Sequence, residues 1–160
     1  MDTEKVQRIT PIRNGTVIDH ITPKSALTVL RILDLPGDHD GVISVGISVR
    51  SHKLQEGRKD IIKVEDLYPD ARMLNKIALI APNATIVRIK DGKVVEKSQV
   101  RLTDEVIGIV RCPNERCISN ANEPVQPRFR VMSRESGQTK IRCEFCDRVL
   151  FHDEISKYAV

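Results

Sequence analysis

Cys112-Pro113-Asn114-Glu115-Arg116-Cys117, followed after 25 residues by Cys143-Glu144-Phe145-Cys146, is the stretch that decides how this chain folds. These are the only four cysteines in 160 residues. Two close pairs flanking one strand-forming stretch suit four thiolates converging on a single tetrahedral Zn2+. A redox dithiol at Cys143 and Cys146 alone leaves the second pair without a purpose. With all four positions filled by protein, none stays open for substrate. The expectation is therefore one structural Zn2+ per chain and no catalytic metal. A disulfide framework would need an oxidising compartment. The opening residues, Met1-Asp2-Thr3-Glu4-Lys5, carry no apolar secretory run, and no stretch reaches the roughly 18 apolar residues of a membrane helix. A cytoplasmic protein without membrane attachment is expected.

Outward from the cysteines, composition is that of a folded chain, 40% hydrophobic and 30% charged. Aromatics are scarce, with no Trp, two Tyr and three Phe, so aliphatic side chains must build the core. The net charge of +4 is uneven: residues 1–103 hold 17 Lys and Arg against 13 Asp and Glu, while residues 104–160 hold nine of each. Zinc ribbons that bind nucleic acid do so through a basic face. A neutral zinc half suits a protein partner better, although Arg128, Arg130 and Arg134 could form a local basic stripe.

Residues 15–97 alternate between strand and helix signals. Gly15 to Ile21 is a β-branched run closed by Pro23. Ser25 to Leu33 places Ala26, Leu27, Leu30 and Leu33 or Ile32 at helical spacing, and Pro36-Gly37 ends it. Gly41 to Val49 and Lys59 to Glu65 read as strands on either side of a polar loop, His52 to Gly57. Asp70 to Ile80 is a second amphipathic helix with Asp70 as its cap. Ala84 to Ile89 and Lys93 to Lys97 are strands joined by Asp91-Gly92, a hairpin signal. The order β-α-β-β-α-β plus a final strand is the ferredoxin-like, split βαβ pattern. Beyond Thr103-Asp104 only short strands are expected: Val106–Arg111, Phe129–Met132, Thr139–Arg142 and Val149–His152. The fold class is therefore α+β, a ferredoxin-like sheet with two helices over residues 1–103, followed over 104–160 by a small all-β zinc-ribbon-like domain. A unit of that size needs a metal to supplement its core.

No nucleophile elbow, Walker loop or dinucleotide glycine fingerprint occurs. Lys59, Lys63, Lys97 and His20 could converge on phosphates. Strict alternation puts Lys93, Val95 and Lys97 on one face of the last strand. Spacing alone equally describes a solvated sheet edge.

Taken in order, Gly15-Thr16-Val17-Ile18-Asp19-His20-Ile21, Gly57-Arg58-Lys59-Asp60-Ile61-Ile62-Lys63, Ala81 to Ile89 and Cys112-Pro113-Asn114 to Cys117-Ile118 resemble the regulatory chain of aspartate carbamoyltransferase. The likeness runs from about Gln7 to His152. It implies a non-catalytic chain whose first domain binds nucleotide effectors and whose zinc domain docks on the catalytic chain. It further implies homodimers of regulatory chains joining two catalytic trimers in pyrimidine biosynthesis. CTP would inhibit, and ATP or UTP would share the site. By that likeness Asp19 and His20 contact ribose and phosphate, Lys63 the sugar-base region and Lys97 the phosphates, with Lys59 beside them. Ile12, Val17, Ile61 and Val94 wall the base. Asn114 and Arg148 take interface roles. Val87 and Gly92 depart from the pattern, standing where its best-known members have Asn and Tyr, and so bear on base selectivity. Arg116 replaces a second Asn in the zinc loop.

The alternative is a stand-alone zinc-ribbon protein binding nucleic acid. It leaves unexplained the neutral zinc half, the scarcity of stacking aromatics and the ordered matches over residues 15–97. An enzyme in its own right would need a catalytic constellation that the sequence does not carry.

Overall fold

The computed structural model describes residues 11–51, 57–122, 125–135 and 137–160. The polar loop expected at residues 52–56 lies outside them. The first part of the chain runs β1 (Gly15–Ile21), α1 (Ala26–Leu33), β2 (Ile43–Arg50), β3 (Arg58–Glu65), α2 (Ala71–Ile80), β4 (Thr85–Lys90) and β5 (Lys93–Gln99). The strands form one antiparallel sheet in the order β2-β3-β1-β4-β5. This is the expected ferredoxin-like arrangement with β5 added at one edge.

The two faces of that sheet differ because strand side chains alternate. Thr16, Ile18, Ile62, Val64 and Ile86 point under the helices and are almost fully buried. They pack in one core with Ala26, Val29 and Leu33 of α1 and Ile77 and Ile80 of α2. Among the described residues the other face carries no helix. Asp70 caps α2 as expected, its carboxylate accepting from the Met73 N–H at 2.9 Å. The α1 helix ends at Leu33 as expected, and Asp34 turns left-handed with φ 50° two residues before Pro36. Asp91 and Gly92 both have positive φ, 52° and 76°, as a tight hairpin turn demands. Gly15 is obligatory for space: a Cβ there would fall 2.2 Å from the Val64 carbonyl oxygen.

The second part has a four-stranded antiparallel sheet, β6 (Glu105–Ile107), β7 (Arg128–Ser133), β8 (Lys140–Cys143) and β9 (Val149–Phe151), in that order. Two expectations need correction here. The strand expected at Val106–Arg111 ends at Ile107, because Gly108 takes φ 72° and redirects the chain. The chain also closes with a short helix, α3 (His152–Tyr158), where only strands were expected. Ile155 is its one buried residue, so no repeating apolar period marks it in the sequence. Glu154 anchors its start by accepting from the Phe151 N–H at 3.2 Å.

The buried apolar residues of both sheets form one connected cluster, which includes Val100 and Leu102 of the connecting segment. Two arginines also tie the parts together. Arg72 of α2 donates to the Gly108 carbonyl at 2.9 Å, and Arg31 of α1 donates to the Ser156 carbonyl. Among the described residues no helix is long and apolar enough to cross a membrane.

Candidate functional site

Strand register assembles the candidate effector face. Lys63 of β3 stands opposite Val17 of β1, Val17 opposite Val87 of β4, and Val87 opposite Lys97 of β5. Directly paired residues share a face, so these four make one transverse row on the helix-free side. Two ammonium groups thus flank an aliphatic floor. They are three strand spacings apart, about 14 Å at 4.8 Å per strand. The next row holds Asp19, opposite Thr85, which is opposite Gln99. Lys59 forms a 2.8 Å ion pair with Asp19, both half-buried. His20 Nδ1 lies 3.1 Å from the Thr85 hydroxyl. Ile61 sits between Lys59 and Lys63 and is half-buried on the same face.

The last strand is not a simple alternation. Its register shifts between Arg88 and Ile89, so Val94 opposes Ile89 while Glu96 opposes Arg88 and Lys97 opposes Val87. One extra residue therefore switches the faces. Val94 joins Lys97 on the open side, whereas Lys93, opposite Lys90, is turned to the helix side. The expectation that Lys93, Val95 and Lys97 share a face is corrected accordingly. Val94 is 62% exposed. Ile12 is buried in the segment before β1. That segment is fastened to the β4–β5 turn: Gly92 N–H donates to the Arg13 carbonyl at 2.9 Å, and Asp91 N–H to the Asn14 side chain at 3.0 Å. A cavity of about 830 Å3 lies elsewhere, where Asn75 of α2 meets residues of β6 and β7, and no residue of the open-face rows lines it.

The four cysteines converge, and their Sγ atoms lie within 4.8 Å of one another. Cys112 Sγ is 3.6 Å from Cys146 Sγ, and Cys117 Sγ is 3.7 Å from Cys143 Sγ. Thiolate–metal bonds of about 2.3 Å in a tetrahedron set S···S edges near 3.8 Å, so the cluster matches the demands of one ion. Each pair sits in a tight turn. Cys117 N–H donates to the Asn114 carbonyl at 2.9 Å, and Asp147 N–H to the Cys143 carbonyl at 3.0 Å. Burial pushes the Cys112 and Cys143 thiols up. Burial acts the same way on Cys146, but hydrogen bonds from the Asn114 side chain, the Arg148 backbone and the neighbouring thiols outweigh it and bring it down to about 7. Cys117 Sγ lies 3.1 Å from the Ser119 hydroxyl.

Asn114 and Arg148, expected at an interface, thus also support the metal cluster. Arg148 is exposed, and its guanidinium is 3.8 Å from Glu154. Sequence reasoning missed Asn120, whose amide donates to the Cys112 carbonyl at 2.8 Å and the Asn114 carbonyl at 2.7 Å. It also missed Thr85, the partner of His20. Thr85 lies inside a segment already singled out and Asn120 two residues beyond one, but polar contacts across a turn or between strands leave no periodic trace.

A family model described as the aspartate carbamoyltransferase regulatory chain, allosteric domain, matches residues 7–101, and one described as its metal binding domain matches residues 104–156. The chain belongs to the aspartate carbamoyltransferase regulatory chain family. It is a regulatory, non-catalytic chain. The regulatory chain of Methanothermobacter thermautotrophicus is 49% identical over 148 residues, 92% of each chain. That of Methanothrix thermoacetophila is 46% identical over 155 residues, 97% of each. That of Porphyromonas gingivalis is 47% identical over 147 residues, 92% of this chain and 93% of the relative. The open-face rows fall inside the allosteric-domain match, and all four cysteines fall inside the metal-domain match.

Proposed function

We propose that residues 1–103 bind nucleoside triphosphate effectors on the open sheet face, and that residues 104–160 hold a structural Zn2+ and dock on the catalytic chain of aspartate carbamoyltransferase. CTP is the inhibitory effector of this reading, and ATP and UTP compete for its site. The observation that carries it is the row Lys63–Val17–Val87–Lys97. An aliphatic floor offers surface to a base, while an ammonium group gives a phosphate chain charge-assisted hydrogen bonds. Val87 adds no polar group to that floor, so base selectivity must come from backbone groups and neighbours such as Thr85. Zinc suits four thiolates with no position left open.

The same reading has regulatory chains pairing as homodimers that join catalytic trimers. Its support is the outermost strand β2, where Ile43, Val45 and Ile47 are exposed, with exposed Val42 just before it. An apolar edge strand invites a second strand. The opposite edge, β5, also exposes Val94 and Val95 but flanks them with Lys93, Glu96 and Lys97.

The test is titration of CTP into the metal-loaded chain assembled with its catalytic chain, read by calorimetry beside a carbamoyl-aspartate assay. Saturable binding that ATP displaces, with a change in reaction rate, is expected. A chain that assembles yet binds no nucleoside triphosphate would overturn the effector reading.

A further inference from the structure

Asp60 is a fully buried acid one residue from Lys59 and three from Lys63, and the effector reading gives it no role. Alternation turns its carboxylate away from the open face, under the helices. Both oxygens are used there. Oδ2 accepts from the Ala26 N–H at 2.9 Å, and Oδ1 accepts from the Ser48 N–H at 2.8 Å. Ala26 is the first residue of α1, whose own cap residue, Ser25, makes no side-chain cap hydrogen bond. Asp60 therefore caps this helix from a neighbouring strand.

The strands on both sides of β3 break register at the level of Asp60. On β1, Ile18 opposes Ile62 and Ile21 opposes Asp60, so three steps on β1 answer two on β3. On β2, Gly46 opposes Ile61 and Val49 opposes Lys59, again three steps against two. The extra residue on β1 lets Asp19 and His20, two consecutive polar residues, both stay half-exposed before Ile21 turns into the core. His20 takes φ 55° there, and its N–H donates to the Asp19 carboxylate at 2.7 Å. The irregular stretch of β2 contains Ser48, also at φ 55°, whose carbonyl accepts from Arg58 at 3.1 Å. Asp60 holds both ends of the short connection from β1 to α1: its backbone pairs with Ile21 and its carboxylate with Ala26.

We propose that Asp60 is a positioning residue for the effector face, its buried carboxylate fixing the two strand bulges that flank β3 and through them the display of Asp19 and His20. This rests on the nucleotide reading above. It also links that display to β2, the outermost strand, through Ser48. Left-handed residues outside glycine persist only where surrounding contacts over-determine them; the carboxylate supplies such a contact directly to Ser48, and it acts on His20 through Ala26 and the Asp60–Ile21 pairing that bracket the connection after it.

The test uses the full metal-loaded chain and CTP. Asp60→Asn is nearly isosteric, but it keeps one acceptor oxygen and faces the other N–H with an amide donor. CTP affinity is expected to fall by at least about tenfold, with metal content unchanged. Val29→Ala, a cavity in the buried face of α1, is the stability control: it should lower the melting temperature and leave CTP affinity within about twofold. In the wild type, CTP should slow amide hydrogen exchange at Ala26 and Ser48 more than at Ile77 of α2, a readout that stands even if Asp60→Asn fails to fold. Wild-type CTP affinity in a folded Asp60→Asn, an equal loss in Val29→Ala, or CTP binding without added protection at Ala26 and Ser48 would overturn the role of Asp60. Failure of the wild type itself to bind CTP would instead overturn the nucleotide reading on which the role rests.

Discussion

Lys93 and Lys97 differ by one turn of register, and that difference makes them a matched pair for testing. On the proposed effector reading, Lys97→Ala would remove a charge-assisted phosphate contact worth about 1.5–3 kcal/mol, and CTP affinity should fall by about ten- to a hundredfold. Lys93→Ala, on the other face, should change it by less than about twofold. Calorimetry of both variants checks the register-based assignment, and equal losses would refute it. Asn120 offers a second test at this scale. It clamps the Cys112–Cys117 turn through two carbonyls and so holds Asn114 toward Cys146. Outer-shell partners of this kind typically carry about 10–100-fold in metal affinity. Asn120→Ala should show such a loss when Co2+ or Zn2+ is titrated against a competing chelator.

At the scale of elements, α1 and α2 meet around a buried lysine. Lys76 of α2 donates to the Ile32 carbonyl near the end of α1 at 3.2 Å. Burial, and after it the charge of Arg72, hold its pKa below the usual 10.5, with Asp34 and Asp70 opposing. Between that lowered value and 10.5 the unfolded chain binds more protons than the folded one, so this residue makes stability rise with pH across the window. Lys76→Met removes that slope. Thermal melts from about pH 8 upward should show the melting temperature of Lys76→Met, relative to wild type, falling steadily toward pH 10.5. A pH-independent difference would show that Lys76 titrates in the fold as it does in the unfolded chain.

Across the whole molecule, the second sheet is expected to depend on a metal held by the four cysteines. The unit is small, and three of its four cysteines are buried in the core. Removing the ion should unfold residues 104–160 while the helices and sheet of the first part persist, visible as selective loss of amide protection. In the metal-free, unfolded segment the thiols titrate near the ordinary cysteine value of about 8.5 and so hold their protons at neutral pH. Binding as thiolates must therefore expel protons, and affinity must rise with pH. Calorimetric enthalpies at pH 7 should depend on the buffer, with two or more protons released per ion as the cysteine thiols become thiolates. A buffer-independent enthalpy would exclude thiolate ligation.

The cysteine spacing by itself determined one tetrahedral site, because only convergence gives two distant pairs a common use. The β-branched runs likewise determined β1 and β3, and the helical spacing of apolar residues with the Asp70 cap determined α2, each nearly to the residue. Tertiary structure alone decided the rest. The bulge in β5 separates Lys93 from Lys97, and no period reveals it, since an extra residue becomes visible only against the partner strand. The α3 helix buries one side chain, too few to leave a pattern. Asp60 looks like one more solvated acid in a polar run, yet it is fully buried. Its burial follows from two N–H donors that belong to a helix and a strand more than ten residues away. Those donors come within reach only when the sheet closes, and so its place could be read only in the folded chain.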